Sequence, residues 1–365
     1  MIIYLDSKIY GAIKQLVKYF EDGVFNMNNH EVVFKFYPES FSYYKSILDN
    51  HNIRYKAFKK ISEVDFSKYK VVYYLFNAQS NCRIVSYRNA KHIFVTHGES
   101  NKISSIKPII RIYDHVICSG QAGIDRFIES KIFTEYDVLT NRLLMMGTTF
   151  IGQSKYTSIQ EENYPKYLLY APTWEGGVIN ENYTSIDERL NSFKVLKNFA
   201  TINNITNIIL QPHPNTGHRD KRYINYFYNG VKYLLDKNFD VILIDSKISK
   251  FIRYKYFAFT KITIYKNLNH KFSIFKAFVD LSAMEVQLIN KNIDTTVFLN
   301  DCQNAIPKKL LKYYENKAIK NYLLTNIDLT DTFSMKEYYI DYSNKEVESM
   351  TMYDRLIWLE NFVWK

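Results

Sequence analysis

Cysteine is scarce in this 365-residue chain: Cys82, Cys118 and Cys302 are the only three. Their number is odd, no two have C-x-x-C spacing, and two sit in apolar runs. They read as buried thiols in a reducing compartment rather than as a disulfide framework. Long apolar stretches are missing too, and no window holds the roughly 20 apolar residues that a membrane span needs. The opening MIIYLDSKIYG has no basic segment followed by a long apolar one, so no signal peptide is expected. The expected location is the cytoplasm, including the inner face of the cytoplasmic membrane. There is no short repeat and no low-complexity tract. P-loop spacing, H-E-x-x-H and G-x-G-x-x-G are all absent. So are recognition-helix, zinc-finger and RNP-like signatures, and nucleic acid is not an expected partner.

What is present is ordinary globular material with a basic bias. Hydrophobic residues make up 47%, with 32 Tyr and 25 Phe, a residue usage consistent with codon bias. Forty-eight Lys and Arg against 37 Asp and Glu give a formal charge of +11 and a pI near 9.1. Such a surface attracts phosphate-rich ligands or anionic lipid, although an AT-rich gene alone also enriches Lys. The length is comfortable for two domains, each with its own core.

The first part of the chain alternates short apolar runs with amphipathic stretches. The runs are Ile2 to Leu5, Val32 to Phe36, Val71 to Leu75, His92 to Thr96, His115 to Cys118 and Leu143 to Met146. Helix-like segments such as Lys8 to Phe20 and Gln121 to Glu129 lie between them. This rhythm predicts a mostly parallel sheet with helices on both faces. The polar stretch Gly152 to Pro165 has no apolar periodicity and reads as a linker. The rhythm then restarts, with strands expected at Tyr167 to Tyr170, Ile205 to Leu210, Val241 to Ile244, Ala277 to Val279 and Thr296 to Leu299. Helices are expected over Ile186 to Ala200 and Tyr223 to Asp236. The expected fold is α/β: a Rossmann-like domain over 1–151, a second over 165–325, and a helical segment over 326–365 packing back on the body. In that last segment YDRLIWLENFVWK has apolar residues at helical spacing and includes Trp358 and Trp364.

In open α/β sheets ligands sit beyond the carboxyl ends of the strands, and the chemically capable residues of this chain fall there. HIFVTHGES places His97 and Gly98 after a strand. The glycine permits a sharp turn, and an imidazole there can take a proton from a hydroxyl. YLLYAPTWEGG places Thr173, Trp174 and Glu175 likewise. NIILQPHPNTGH fixes His213 between Pro212 and Pro214, where a rigid imidazole can donate to a diphosphate oxygen. FKAFVDLSAMEVQLIN puts Asp280, Ser282 and Glu285 at a strand-to-helix turn. Ser282 there is a phosphate seat at a helix N-terminus, an N-cap in a capping box with Glu285, or both.

HG after a strand, YAPTW after the linker, a proline-flanked histidine, and D-x-S-x-x-x-E resemble, in that order, the CDP-glycerol glycerophosphotransferase family of teichoic-acid and capsule synthesis. The resemblance covers residues 90 to 300 or so. It implies a GT-B-type fold of two Rossmann-like domains facing a central cleft and transfer without a required metal or cofactor. His97 would be the base and His213 the diphosphate contact, with Gly98, Thr173, Trp174, Pro214, Asp280, Ser282 and Glu285 around the donor. The implied partners are a CDP-activated donor and a polyol-phosphate polymer or lipid-linked glycan acceptor, with peripheral attachment to an anionic membrane surface. The chain departs from the family pattern at Glu99, Ser100, Asn101 and Lys102 after HG, at Glu175-Gly176-Gly177 after YAPTW, and at Leu281 and Ala283 around Ser282. No D-x-D pair occurs, so the metal-binding signature of the other large glycosyltransferase class is missing. The alternative within the same fold is a glycosyltransferase using a nucleotide-sugar, of the sialyl or other capsule and lipooligosaccharide kind. Glu21-Asp22-Gly23 resembles the acidic-Gly motif of bacterial sialyltransferases, which also carry an HP motif, but it falls where a glycine ordinarily stops a helix.

Overall fold

A run such as Ile2-Ile3-Tyr4-Leu5 is apolar at every position, so it can be satisfied only by a strand covered on both faces. In the computed structural model, which describes residues 1–96, 98–147, 156–158, 165–244, 247–256, 262–265, 271–320 and 335–362, all four of these residues are buried. Ile3 and Leu5 enter the core on one face, and Ile2 and Tyr4 the core on the other. The chain divides into two compact units. The first comprises 1–99, 106–153 and 337–365, and the second 100–105 and 154–336.

Among the described residues the first unit holds seven strands: Ile2–Leu5 (β1), Glu31–Lys35 (β2), Tyr55–Phe58 (β3), Val71–Tyr74 (β4), Lys91–Phe94 (β5), His115–Cys118 (β6) and Leu143–Met145 (β7). They pair in parallel in the order β3-β2-β1-β4-β5-β6-β7. The direction of winding reverses between β1 and β4, the doubly wound pattern. Helix Tyr10–Glu21 covers one face with Ile13, Leu16 and Val17, joined by Leu356 and Leu359 of the helix Met352–Phe362. Ile124 and Phe127 of helix Gln121–Glu129 cover the other. Glu21-Asp22-Gly23 is the stop of the first helix: Gly23 takes φ 74, and its amide bonds Phe20 O at 3.1 Å.

The second unit repeats the plan. Its strands are Tyr156–Ser158 (β8), Tyr167–Ala171 (β9), Asn207–Leu210 (β10), Asp240–Ile244 (β11), Thr263–Tyr265 (β12), Phe272–Asp280 (β13), Thr295–Leu299 (β14) and Ala318–Lys320 (β15). The order is β12-β11-β10-β9-β13-β14-β15, with β8 beside β13, and every pairing is parallel. The switch point lies between β9 and β13. The stretch expected to be a linker is thus in part sheet: Tyr156, Thr157 and Ser158 pair with Phe272, Ser273 and Ile274. β13 begins five residues before its pairing with β14 at Ala277, and this stretch of backbone gives a polar segment a ladder to join. The helix expected over Ile186 to Ala200 is Asn191–Ile202, because Leu190 at φ 58 breaks the backbone just before it. No described helix is long and apolar enough to cross a membrane.

Candidate functional site

Three adjacent strands of the second unit, β10, β9 and β13, end level with one another. Leu210 is level with Tyr170, and Ala171 with Val279. The turns that follow carry His213, Trp174 and Ser282 respectively, at the switch point where doubly wound sheets bind ligands.

The turn after β10 is held from outside itself. Glu175, fully buried, accepts hydrogen bonds from the amides of Gly217 (3.0 Å), Arg219 (2.9 Å) and Asp220 (3.1 Å). Arg219 returns its guanidinium to the carbonyls of Glu175 (2.8 Å) and Gly176 (2.9 Å). Gly217 sits at φ 76, and a Cβ there would lie 2.4 Å from Ile224 Cγ1. This clasp presents His213, half-buried, with its ring 6.0 Å from that of Trp174 and inclined by 17°, a stacked pair. His218 meets the same indole edge-on at 6.2 Å. The amide of Asn215 donates to His213 Nδ1 at 3.1 Å. An Nδ1 that accepts leaves the proton of the neutral ring on Nε2, so the ring is set up as a donor through Nε2 rather than as a base. Pro214 is exposed on the rim of this turn.

At the end of β13, Ser282 is the N-cap residue of helix Ala283–Asn290, yet its side chain makes no capping bond. Its Oγ is buried with no hydrogen-bond partner among the described residues. The capping box expected with Glu285 is not formed. Both Glu285 carboxylate oxygens instead take the Tyr314 hydroxyl, at 2.8 and 2.6 Å, inside the unit. Asp280 is likewise interior. One oxygen accepts the Thr173 amide at 2.6 Å and the other the Ser185 amide at 3.1 Å, and the residue is fully buried. Burial pushes its carboxyl up to about 7, against the pull of those donors and of Lys102. Asp280 and Glu285, expected beside the donor, are therefore internal supports: each carboxylate is spent on protein donors and neither reaches the surface.

Thr173 is also nearly buried, with its amide on Asp280 and its Oγ1 accepting from Lys102 Nζ at 2.9 Å. The role of Lys102 was not apparent in the sequence. The lysine stands five residues beyond His97, yet segment 100–105 belongs to the second unit. The clasp by Glu175 was equally hidden, its sole signal being an acid directly before two glycines.

In the first unit, His97 lies outside the described residues. The backbone around it is unusual. Thr96, a β-branched residue, holds φ 61, and Gly98 holds φ 121. The Thr96 hydroxyl donates to Gly98 O at 3.1 Å, and Tyr19 donates to Thr96 O at 3.2 Å. A left-handed threonine is a strained conformation, and such strain concentrates at functional turns. Glu99, which follows, is occupied within the unit by the Ser119 amide at 2.5 Å and Arg126 at 2.9 Å. No group of three metal-ligating side chains occurs among the described residues.

Two parallel, doubly wound units in one chain define the GT-B-type fold. No family model matches the chain, and no curated protein does. Among solved structures, Anabaena HepE in complex with UDP is similar over 99% of each chain, with a TM-score of 0.51 and 11% identity. A Listeria monocytogenes protein described as a UDP-N-acetylglucosamine 2-epimerase covers 98% of this chain and 94% of its own, at 0.47 and 9%. Escherichia coli heptosyltransferase WaaC with ADP covers 87% and 99%, at 0.33 and 9%. At these identities the likeness is one of fold, and the first of the three carries it.

Proposed function

We propose that this chain is a transferase that takes a nucleotide-activated donor, with the donor phosphates seated over the ends of β9, β10 and β13. The observation that carries this is the unpartnered Ser282 Oγ at the start of helix Ala283–Asn290. A buried hydroxyl and the unsatisfied amides of a helix N-terminus form an anion seat, and they lie level with the Trp174–His213 pair on the neighbouring strand ends. The Nε2–H of His213 donates to the same phosphates, and the half-buried Trp174 offers the donor an aromatic edge. The fold shared with HepE, a protein seen with UDP, supports a nucleotide as ligand.

The finer reading follows the motifs: a CDP-activated polyol phosphate gives glycerol phosphate, or a related group, to a hydroxyl of a surface polymer or its lipid-linked precursor. The acceptor oxygen attacks phosphorus, the bond to the CMP oxygen breaks, and His97 takes the hydroxyl proton. Negative charge grows on the departing phosphate, where His213 and the helix N-terminus stabilise it. A nucleotide-sugar reaction in the same seat is the second reading, supported by the nucleotide in HepE. It breaks the bond to the sugar carbon instead.

Incubation with CDP-polyols, CMP-sugars and NDP-sugars, scoring both the nucleotide released and the carbon product, separates the two. CMP with a transferred polyol phosphate supports the first reading. Release of a nucleoside diphosphate, or of CMP with a transferred sugar, supports the second. His213→Ala is expected to weaken donor binding and turnover together, and Ser282→Ala less so, because the backbone amides remain. His97→Ala is expected to lower turnover by roughly 10²- to 10⁴-fold. A chain that binds no nucleotide, or a His213→Ala variant with unchanged donor kinetics, overturns the proposal.

A further inference from the structure

We infer that Lys102, together with the Thr173 hydroxyl, forms a cationic phosphate-binding position at the carboxyl ends of β9 and β13. This rests on the transfer reaction proposed above and adds to it the group that neutralises the donor diphosphate.

Lys102 is delivered to the second unit by a short, tightly fixed segment. The amide of Ala305 donates to Asn101 O at 2.8 Å, and Lys102 itself bridges Asn304 in antiparallel fashion. Asn101 Nδ2 bonds the Tyr314 hydroxyl at 3.0 Å. The Ile103 amide bonds the Tyr183 hydroxyl at 3.1 Å, and that hydroxyl in turn donates to Gln303 O at 2.6 Å. With the backbone held on both sides, the ammonium has a defined place.

Lys102 is half-buried, and the protein groups around its ammonium do not satisfy it. An ammonium has three N–H donors. The hydrogen bond of Lys102 among the described residues is to the neutral Thr173 Oγ1, and the Tyr183 ring lies 5.3 Å from Nζ. The charged groups facing it are Asp280 and Glu181, but the Asp280 oxygens are taken by the Thr173 and Ser185 amides. Burial pushes the ammonium down to about 8, although both carboxylates pull the other way. A cation kept in such surroundings is a poor stabilising element, because an apolar side chain of similar length would serve packing at lower cost. It is a good anion receptor. Continuing the register from Ala171 and Val279 sets Thr173 level with Leu281, one residue before Ser282. The under-satisfied ammonium and the unpartnered hydroxyl therefore end adjacent strands at the switch point.

The test measures binding of CDP, UDP, pyrophosphate, cytidine and uridine to the full chain by calorimetry, in wild type, Lys102→Met and Lys102→Arg. Lys102→Met is expected to fold, to weaken diphosphate binding roughly 10- to 100-fold, and to leave nucleoside binding within about twofold. Lys102→Arg is expected to recover most of the loss. In wild type, diphosphate affinity is expected to fall as pH rises through about 8, where the free site loses its proton. Lys102→Met is expected to lack that slope. If Lys102→Met does not fold, the wild-type slope and Lys102→Arg carry the test. Equal diphosphate binding in Lys102→Met, or a flat wild-type profile, overturns the role of Lys102 while leaving the transfer reaction standing. A wild type that binds neither nucleotides nor pyrophosphate overturns both.

Discussion

Carboxylates at the strand ends of this protein serve as internal struts. Glu175, Asp280 and Glu285 are all buried, and each accepts hydrogen bonds from protein donors. Glu175 is the sharpest case, since three amides of one turn depend on it. Glu175→Ala would strand those amides in the interior and free the turn that carries His213. We expect it to lower unfolding free energy by about 2–4 kcal/mol, read by chemical denaturation, and to weaken donor binding as well. A variant as stable as wild type would show that water replaces the carboxylate. The position of these acids at strand ends was legible in the sequence, because apolar runs stop abruptly there. Their orientation was not. Asp280 takes its donors from residues 107 and 95 positions away, and no local pattern announces that. Ser282 is the reverse case. Its capping-box spacing was plain, but Tyr314, 29 positions from Glu285, draws the acid away and leaves the serine hydroxyl unmatched.

Several strands buried on both faces were read almost to the residue, although β13, expected over Ala277 to Val279, runs Phe272–Asp280. Of the edge strands, β7 was read to within one residue, and β3, β12 and β15 were not expected. β1 and β6 match their expected runs; β1 is apolar and buried at every position, and β6 at every position after His115. β3, β12 and β15 have three or four residues each and lie toward the sheet edges, and β8 hides in a polar stretch. Such strands are specified by a neighbour's free edge more than by their own composition. Helix packing gives a similar lesson at Gly230, in the middle of helix Arg222–Asp236. Replacing a helical glycine by alanine ordinarily gains up to about 1 kcal/mol. Here a Cβ would lie 2.2 Å from the Phe193 ring of helix Asn191–Ile202. Overpacking of this kind costs about 1–3 kcal/mol, so Gly230→Ala is expected to destabilise despite its better propensity. A higher melting temperature in the variant would show that the Phe193 ring swings aside freely.

At the scale of the molecule, the two-unit fold was legible because the β-then-α rhythm stops and restarts. The interleaving of the units was legible only in part: segment 100–105 carries no mark of the unit it joins, whereas 337–365 lies in the stretch expected to pack back on the body. The second of these matters most for integrity. Leu356 and Leu359 are fully buried against Ile3, Leu16 and Tyr73. A chain ended after Thr351 should expose that face. In hydrogen exchange, β1 and β4 are then expected to lose protection while β9 and β13 keep theirs. Equal protection of β1 in the shortened chain would show that the last helix is dispensable.

The same arrangement bears on how the protein is made. The second unit closes near residue 336, but the first waits for the helix Met352–Phe362. Between Gln153 and Met352 the ribosome adds about 200 residues, on the order of 10–40 s of synthesis. Throughout that interval the start of the chain is already outside with one face of its sheet incompletely covered. The unit that holds β1 is therefore completed after the second. Until that helix is made, Ile3 and Tyr73 lack part of their cover, and slow codons between those for Gln153 and Met352 would lengthen that exposure.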